Sequence, residues 1–301
     1  MLRNPKFRLF GLLQTQTAGG FRMTAVLKIA RTRASLALAC TALAVASLGI
    51  VSAQASAYPN SMDALGDSIT RAFNTCSFPF TDCPENSWAT GTNKTVNSYY
   101  LRLLALNPGI SGHNNNDAVS GAKMTELKGQ AEKAVSSKVE LVGILMGAND
   151  ACTSSIATMT SVASYKSQFE GAMKTLTSGI PSAQINVGSL PNVYRLWEIF
   201  HTNSSAVNTW NSLKICQSLL ANPTSLAKAD EERRLQVKGR EEEFDSVLQS
   251  VCAKYTQCKY DNGAGFKTVF NTKDVTTRDY FHPSIEGQTM IAKVAWEAFP
   301  F

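Results

Sequence analysis

The chain has 301 residues, 29 of them Lys or Arg and 23 Asp or Glu, for a formal net charge of +6. That excess sits at the front: residues 1–57 hold seven basic side chains and no acidic one, so 29 less 7 leaves 22 basic against 23 acidic groups in residues 58–301. A near-neutral body without a basic block has no electrostatic footprint for nucleic acid, and its length suits one α/β domain with a full core.

In chain order, a basic stretch from Lys28 to Arg33 precedes an apolar run over residues 34–51 and then Ala55-Ser56-Ala57. This is the pattern of a secretory signal peptide cut before Tyr58. An uncleaved membrane anchor is the alternative, and the small-residue cleavage site argues against it. Met23 opens a leader of ordinary shape, so residues 1–22 read as an upstream start. The expectation is a secreted protein with no stable membrane anchor after cleavage. Removing the leader takes Cys40 with it and leaves six cysteines, an even number that favours disulfides in an exported chain. Spacing suggests Cys76 with Cys83, Cys152 with Cys216, and Cys252 with Cys258. Closing each short loop is worth about 2.5 kcal/mol and the long one about 4 kcal/mol. No CxxC pair and no histidine at ligand spacing supports a metal site in their place.

Met62 to Gly66 is a short apolar run that stops at Gly-Asp-Ser, as a buried strand entering a turn does. Residues 73–95 form an irregular excursion, and helical spacing follows over residues 99–106. Residues 131–139 look helical, and 140–146 form a second buried strand ending at Gly147-Ala148-Asn149-Asp150. A helix over 164–176 and a strand over 183–190 continue the alternation, which implies a parallel sheet covered on both faces. Ligands bind such sheets beyond the carboxyl ends of the strands. Residues 191–223, with Tyr194, Trp197, Phe200 and Trp210, break the alternation and read as a loop or lid. A long charged helix is expected over 227–255, with Glu231-Glu232 and residues 241–243 on its solvated face, and a last helix over 285–299.

A serine becomes a nucleophile only when a base removes its proton and a third group orients that base. Ser68, in Leu65-Gly66-Asp67-Ser68, stands where a strand turns, although Gly-Asp-Ser is also an ordinary turn and cap. Of His113, His201 and His282, two follow a carboxylate at a spacing of three: Glu198 with His201, and Asp279 with His282. Pro283 fixes the second pair in a turn ahead of the final helix, which favours it as base and orienting acid, with a solvated surface turn as the competing reading. Gly121 and Asn149 lie in polar turns that offer oxyanion donors, and each alone is equally a tight turn.

Taken in order, Gly66-Asp67-Ser68, Gly121, Gly147-Ala148-Asn149-Asp150 and Asp279-Tyr280-Phe281-His282 resemble the four blocks of the SGNH, or GDSL, hydrolases, and within them the secreted actinobacterial esterases and lipases with three sequential disulfides. The resemblance implies a flavodoxin-like three-layer α/β/α sandwich around a central parallel sheet in a single domain over residues 58–301. It makes Ser68 the nucleophile, His282 the base and Asp279 its partner, with the Ser68 amide, the Gly121 amide and the Asn149 side chain as the oxyanion hole. No cofactor or metal is implied. The expected activity is carboxylic ester hydrolysis through an acyl-enzyme by a monomer acting on a small-molecule or lipid ester. Phospholipase and polysaccharide O-acetyl esterase activities are the alternatives within the class, and a non-catalytic secreted binding protein is the alternative outside it. Phe78, Phe80, Tyr194, Trp197 and Phe200 are candidates for an apolar acyl pocket, or else ordinary core.

Overall fold

The computed structural model describes residues 58–301, so the expected leader and Cys40 lie outside the described residues. Five strands form one parallel sheet: β1 (Met62–Gly66), β2 (Asn114–Asn116), β3 (Leu141–Leu145), β4 (Gln184–Val187) and β5 (Cys258–Tyr260), in the order β2-β1-β3-β4-β5. The chain therefore works outward from β1 to one edge and then, through β3, to the other. The break in strand order lies between β1 and β3, where the carboxyl ends of a doubly wound sheet leave a crevice for ligand.

Side chains alternate across a strand, and in a sheet covered on both sides both sets are apolar. Leu141 and Leu145 of β3 pack with Met62 and Ala64 of β1 against α1 (Tyr99–Leu106) and α10 (Ile285–Ala298). Val142 and Ile144 turn the other way, with Ile185 and Val187 of β4, onto α2 (Leu127–Ser137), α4 (Val162–Gly179) and α8 (Lys228–Cys252). This is the three-layer sandwich expected from the alternation. Among the described residues no helix is long and apolar enough to cross a membrane.

The disulfides pair as the spacing suggests: Cys76–Cys83, Cys152–Cys216 and Cys252–Cys258, with Cα separations of 5.5, 4.5 and 5.3 Å. The first closes the excursion after the Gly66-Asp67-Ser68 turn, and the last joins the end of α8 to β5.

Three readings need correction. Residues 191–223 are not a loop: they contain α5 (Tyr194–Phe200), α6 (Ser204–Leu213) and α7 (Gln217–Leu220). Their aromatics are core, with Trp210 fully buried, Trp197 donating from Nε1 to the Pro223 carbonyl at 2.7 Å, and the Arg234 guanidinium lying 4.0 Å from the Trp197 ring centre. Glu241 is not on the solvated face of α8 but fully buried, where its Oε2 accepts the Val193 N–H at 3.2 Å. Desolvation raises its carboxyl well above the ordinary range, more than that hydrogen bond lowers it. The edge strands β2 and β5 were missed, because three asparagines and Cys-Lys-Tyr show no apolar run; each pairs on one side only and so tolerates polar residues.

Candidate active site

β1 ends in Gly66, whose φ of 155° is rare for residues with a side chain; a Cβ there would lie 2.4 Å from the Leu145 carbonyl oxygen. The glycine lets the β1 and β3 ends meet before the chain turns at Asp67 and Ser68. Two buried glutamines brace this turn. From α2, Gln130 donates from Nε2 to the Gly66 carbonyl at 2.9 Å and accepts the Gly66 N–H at 2.8 Å. From α10, Gln288 donates from Nε2 to the Ile69 carbonyl at 2.8 Å while its Oε1 accepts the Trp88 N–H at 2.8 Å. Asp67 Oδ1 accepts the Ile69 N–H at 2.9 Å, and burial pushes the Asp67 carboxyl up to about 6 against that bond and the neighbouring His282.

His282 reaches the turn from the segment before α10. Its Nε2 lies 2.8 Å from Ser68 Oγ, and its Nδ1 lies 2.8 Å from Asp279 Oδ2. With the ring proton on Nδ1 donated to the carboxylate, Nε2 presents a lone pair that accepts the Ser68 O–H. Asp279 is buried and its Oδ1 accepts the Phe281 and His282 amides, each at 2.9 Å. Burial acts to raise the Asp279 carboxyl, but the His282 hydrogen bond and charge, with the two amides, outweigh it and hold the group below its ordinary value. Tyr280, between acid and base, has φ 54°, so the turn departs from helical geometry, and it sets Asp279 behind the imidazole while His282 faces the serine.

The residues expected to serve as oxyanion donors also gather here. Among the described residues no hydrogen bond uses the N–H of Ser68 or of Gly121. Gly147, at φ 138°, lets the chain leave β3 under the Tyr165 hydroxyl, which lies 2.7 Å from where a Cβ would stand, and α3 (Ala148–Ala151) begins there. Asn149 on α3 lines the same cavity as Ser68 and His282 and donates one amide hydrogen to the Ala122 carbonyl at 3.0 Å, leaving the other for a ligand. Asp150 Oδ2 accepts the Met124 N–H at 2.9 Å and so ties the Gly147–Asp150 block to the segment after Gly121; burial raises its carboxyl.

Beyond Ser68 lies a cavity whose apolar walls are Val193, Leu196, Phe270, Val275 and Phe281. None of Phe78, Phe80, Tyr194, Trp197 and Phe200 lines it: the first two are 77% and 55% exposed, and Trp197 and Phe200 are buried core. The five aromatics offered as acyl-pocket candidates therefore do not wall the cavity at Ser68. His201 lies elsewhere, with Nδ1 3.0 Å from the Trp197 carbonyl and its ring stacked on Trp197, while Glu198 pairs with Arg195. The one group of cysteine and acid side chains at metal-ligand separation among the described residues, Cys76, Cys83 and Glu85, spends two of its three members on a disulfide.

Sequence reasoning missed Gln130 and Gln288, and also Asn74. Asn74 donates from Nδ2 to the Asp279 oxygen that His282 uses, and its Oδ1 accepts the Phe80 N–H inside the Cys76–Cys83 loop. No local pattern marks these residues, since a lone amide side chain has meaning only through a partner far along the chain.

Among solved structures the chain is similar to an extracellular lipase from Streptomyces rimosus, with 18% identity, 79% of this chain and 99% of that one covered, and a TM-score of 0.48. It is also similar to phospholipase A1 from Streptomyces albidoflavus NA297, at 19% identity, 76% and 94% coverage and a TM-score of 0.41. A family 3 carbohydrate esterase from Clostridium thermocellum gives 11%, 79% and 93%, and 0.42. No curated protein sequence matches the chain. The family model for GDSL-like Lipase/Acylhydrolase matches residues 64–295, a span that runs from β1 through the His282 turn into α10, and the chain belongs to that family.

Proposed function

We propose that this member of the GDSL hydrolases cleaves carboxylic esters by acyl transfer to Ser68. The observation that carries this is the continuous Ser68–His282–Asp279 hydrogen-bond path, with 2.8 Å on each side of the imidazole. In the reaction His282 Nε2 takes the Ser68 proton as Oγ attacks the ester carbonyl. Asp279 holds the Nδ1 tautomer and stabilises the imidazolium. The developing oxyanion takes the Ser68 and Gly121 amides and the second amide hydrogen of Asn149. His282 then passes its proton to the departing alcohol, and a water activated by the same ring releases the acid. In that second half the proton comes from the attacking water and returns through His282 to Ser68 Oγ as the acid leaves.

The apolar cavity beside Ser68 favours a hydrocarbon acyl group over an acetylated glycan, because walls such as Leu196, Phe270 and Phe281 offer a sugar no hydrogen bonds. Three disulfides and the signal-like leader support secretion, with residues 58–301 as the working enzyme. Ser68→Ala tests the reading. It should lower kcat on p-nitrophenyl esters by about a thousandfold or more while the protein stays folded, since loss of a triad member typically costs this much. Wild-type turnover by the purified variant would overturn it.

A further inference from the structure

A second, narrow apolar cavity lies between the sheet ends and α10, walled by Trp88, Leu145, Ile291, Val294, Ala295 and Phe299. It shares two lining residues, Pro191 and Phe270, with the cavity at Ser68. We infer that these two residues divide one acyl-binding channel into two compartments, and that the chain of a long fatty acyl ester passes from Ser68 beyond Phe270 into the compartment under α10. The inference rests on the ester-hydrolase reading and names its substrate class.

The chemistry of the inner compartment selects its occupant. Its few polar side chains are already used. Ser189 donates from Oγ to Asp261 Oδ2 at 2.7 Å, Asp261 also accepts the Gly263 and Gly265 amides at 2.9 Å each, and Thr268 donates from Oγ1 to the Ala264 carbonyl at 2.8 Å. A polar ligand would find no partner there and would lose its water, whereas methylene groups lose nothing. The divider can move on one side. Pro191 is a rigid ring, but Phe270 lies between α9 (Ala264–Lys267) and α10 outside any helix or strand, and its carbonyl is held by Arg195 Nε at 2.9 Å. That bond anchors the backbone, so the passage of a chain requires a shift of the buried Phe270 side chain alone.

The occupant is the acyl arm and not the alcohol arm because of the order of release. The acyl group stays bonded to Ser68 while the alcohol departs, so the alcohol needs the open side of the cleft and the acyl chain can use a closed end.

Two ester series measured on the full chain test the inference. One runs from p-nitrophenyl acetate to palmitate and varies the acyl arm. The other, alkyl acetates from ethyl to dodecyl, varies the alcohol arm. In the wild type kcat/KM should rise by about fourfold for each methylene buried, and this rise should persist into the long acyl chains. Val294→Phe, which fills the inner compartment from the half-buried face of α10, should cut palmitate turnover by at least about tenfold, given the same gain per methylene, and leave butyrate unchanged. Phe270→Ala should raise the palmitate-to-butyrate ratio. Phosphonylation of Ser68 by a short fluorophosphonate at the wild-type rate shows that Val294→Phe is folded, and if it fails that check, the palmitate-to-butyrate ratio of Phe270→Ala, which is read within that one variant, decides. Acyl-length profiles that superimpose on the wild type, a wild type confined to acetate, or a loss confined to the alkyl acetates would overturn the inference while leaving the ester-hydrolase reading intact. A wild type that neither takes the fluorophosphonate nor turns over any ester would defeat that reading itself.

Discussion

The nucleophile turn and the aromatic stretch from Tyr194 to Leu220 are both distinctive in the sequence, yet only the first is specified by its own residues. At the turn, the backbone that presents Ser68 is shaped by near neighbours, a glycine conformation at Gly66 and an Asp67–Ile69 hydrogen bond, and the distant Gln130, Gln288 and His282 then close on a geometry already marked in the sequence. In the aromatic stretch, Trp197 and Tyr194 acquire their setting from α8, about forty residues on, where Arg234 lies over the indole and Glu231 accepts the Tyr194 hydroxyl at 2.6 Å. Local chemistry can be read from local sequence, whereas burial depends on which distant element arrives. Aromatic residues between polar ones therefore looked like a lid and turned out to be core.

Substitutions that separate local chemistry from long-range support sharpen this contrast. Asn149→Ala, at a position the sequence marks by its Gly-x-Asn-Asp block, should slow turnover by roughly 100-fold to 1000-fold, the usual result of removing one oxyanion donor, while Ser68 stays reactive. An unchanged kcat would make Asn149 a turn residue only. Asn74→Gly, at a position no motif marks, keeps the backbone at a left-handed φ of 67° and removes the donor to Asp279. Losing a hydrogen bond to a charged group should lower kcat by about 10-fold to 100-fold with little change in KM. A rise in KM alone would mean that Asn74 shapes the cleft and does not position the acid.

The smallest effect concerns α8. Burial pushes the Asp245 carboxyl up to about 7, outweighing the Leu190 N–H it accepts at 2.9 Å. A raised carboxyl is protonated in the fold and ionised in the unfolded chain, so its stabilisation is complete below the ordinary carboxylate range and is lost as pH rises toward 7. Asp245→Asn cannot ionise and keeps an acceptor for Leu190, so its Tm should fall less steeply than the wild type's between pH 4 and pH 8. Parallel Tm curves would show that Asp245 does not titrate in this window.

Much of the fold was legible because buried strands such as Leu141–Leu145 are continuous apolar runs and the helices between them keep their period. What stayed hidden shares one cause. The edge strand Asn114–Asn116 carries polar residues because one side of it lacks a neighbour, Glu241 looks solvated until α5 covers it, and Gln130 and Gln288 have functions only once α2 and α10 flank the turn. The four blocks were legible because each must present a particular atom at the sheet edge, which restricts residue type and spacing together.

The central claim is that Ser68 is activated by His282 and not by the equally spaced His201. Labelling by a fluorophosphonate reports that activation directly, because only a serine relieved of its proton attacks phosphorus at an appreciable rate. In the structure His282 lies 2.8 Å from Ser68 Oγ, while His201 is stacked on Trp197. The account predicts that His282→Ala abolishes labelling of Ser68 and that His201→Ala labels at the wild-type rate. Retained labelling in His282→Ala with loss in His201→Ala would contradict the assignment of the base.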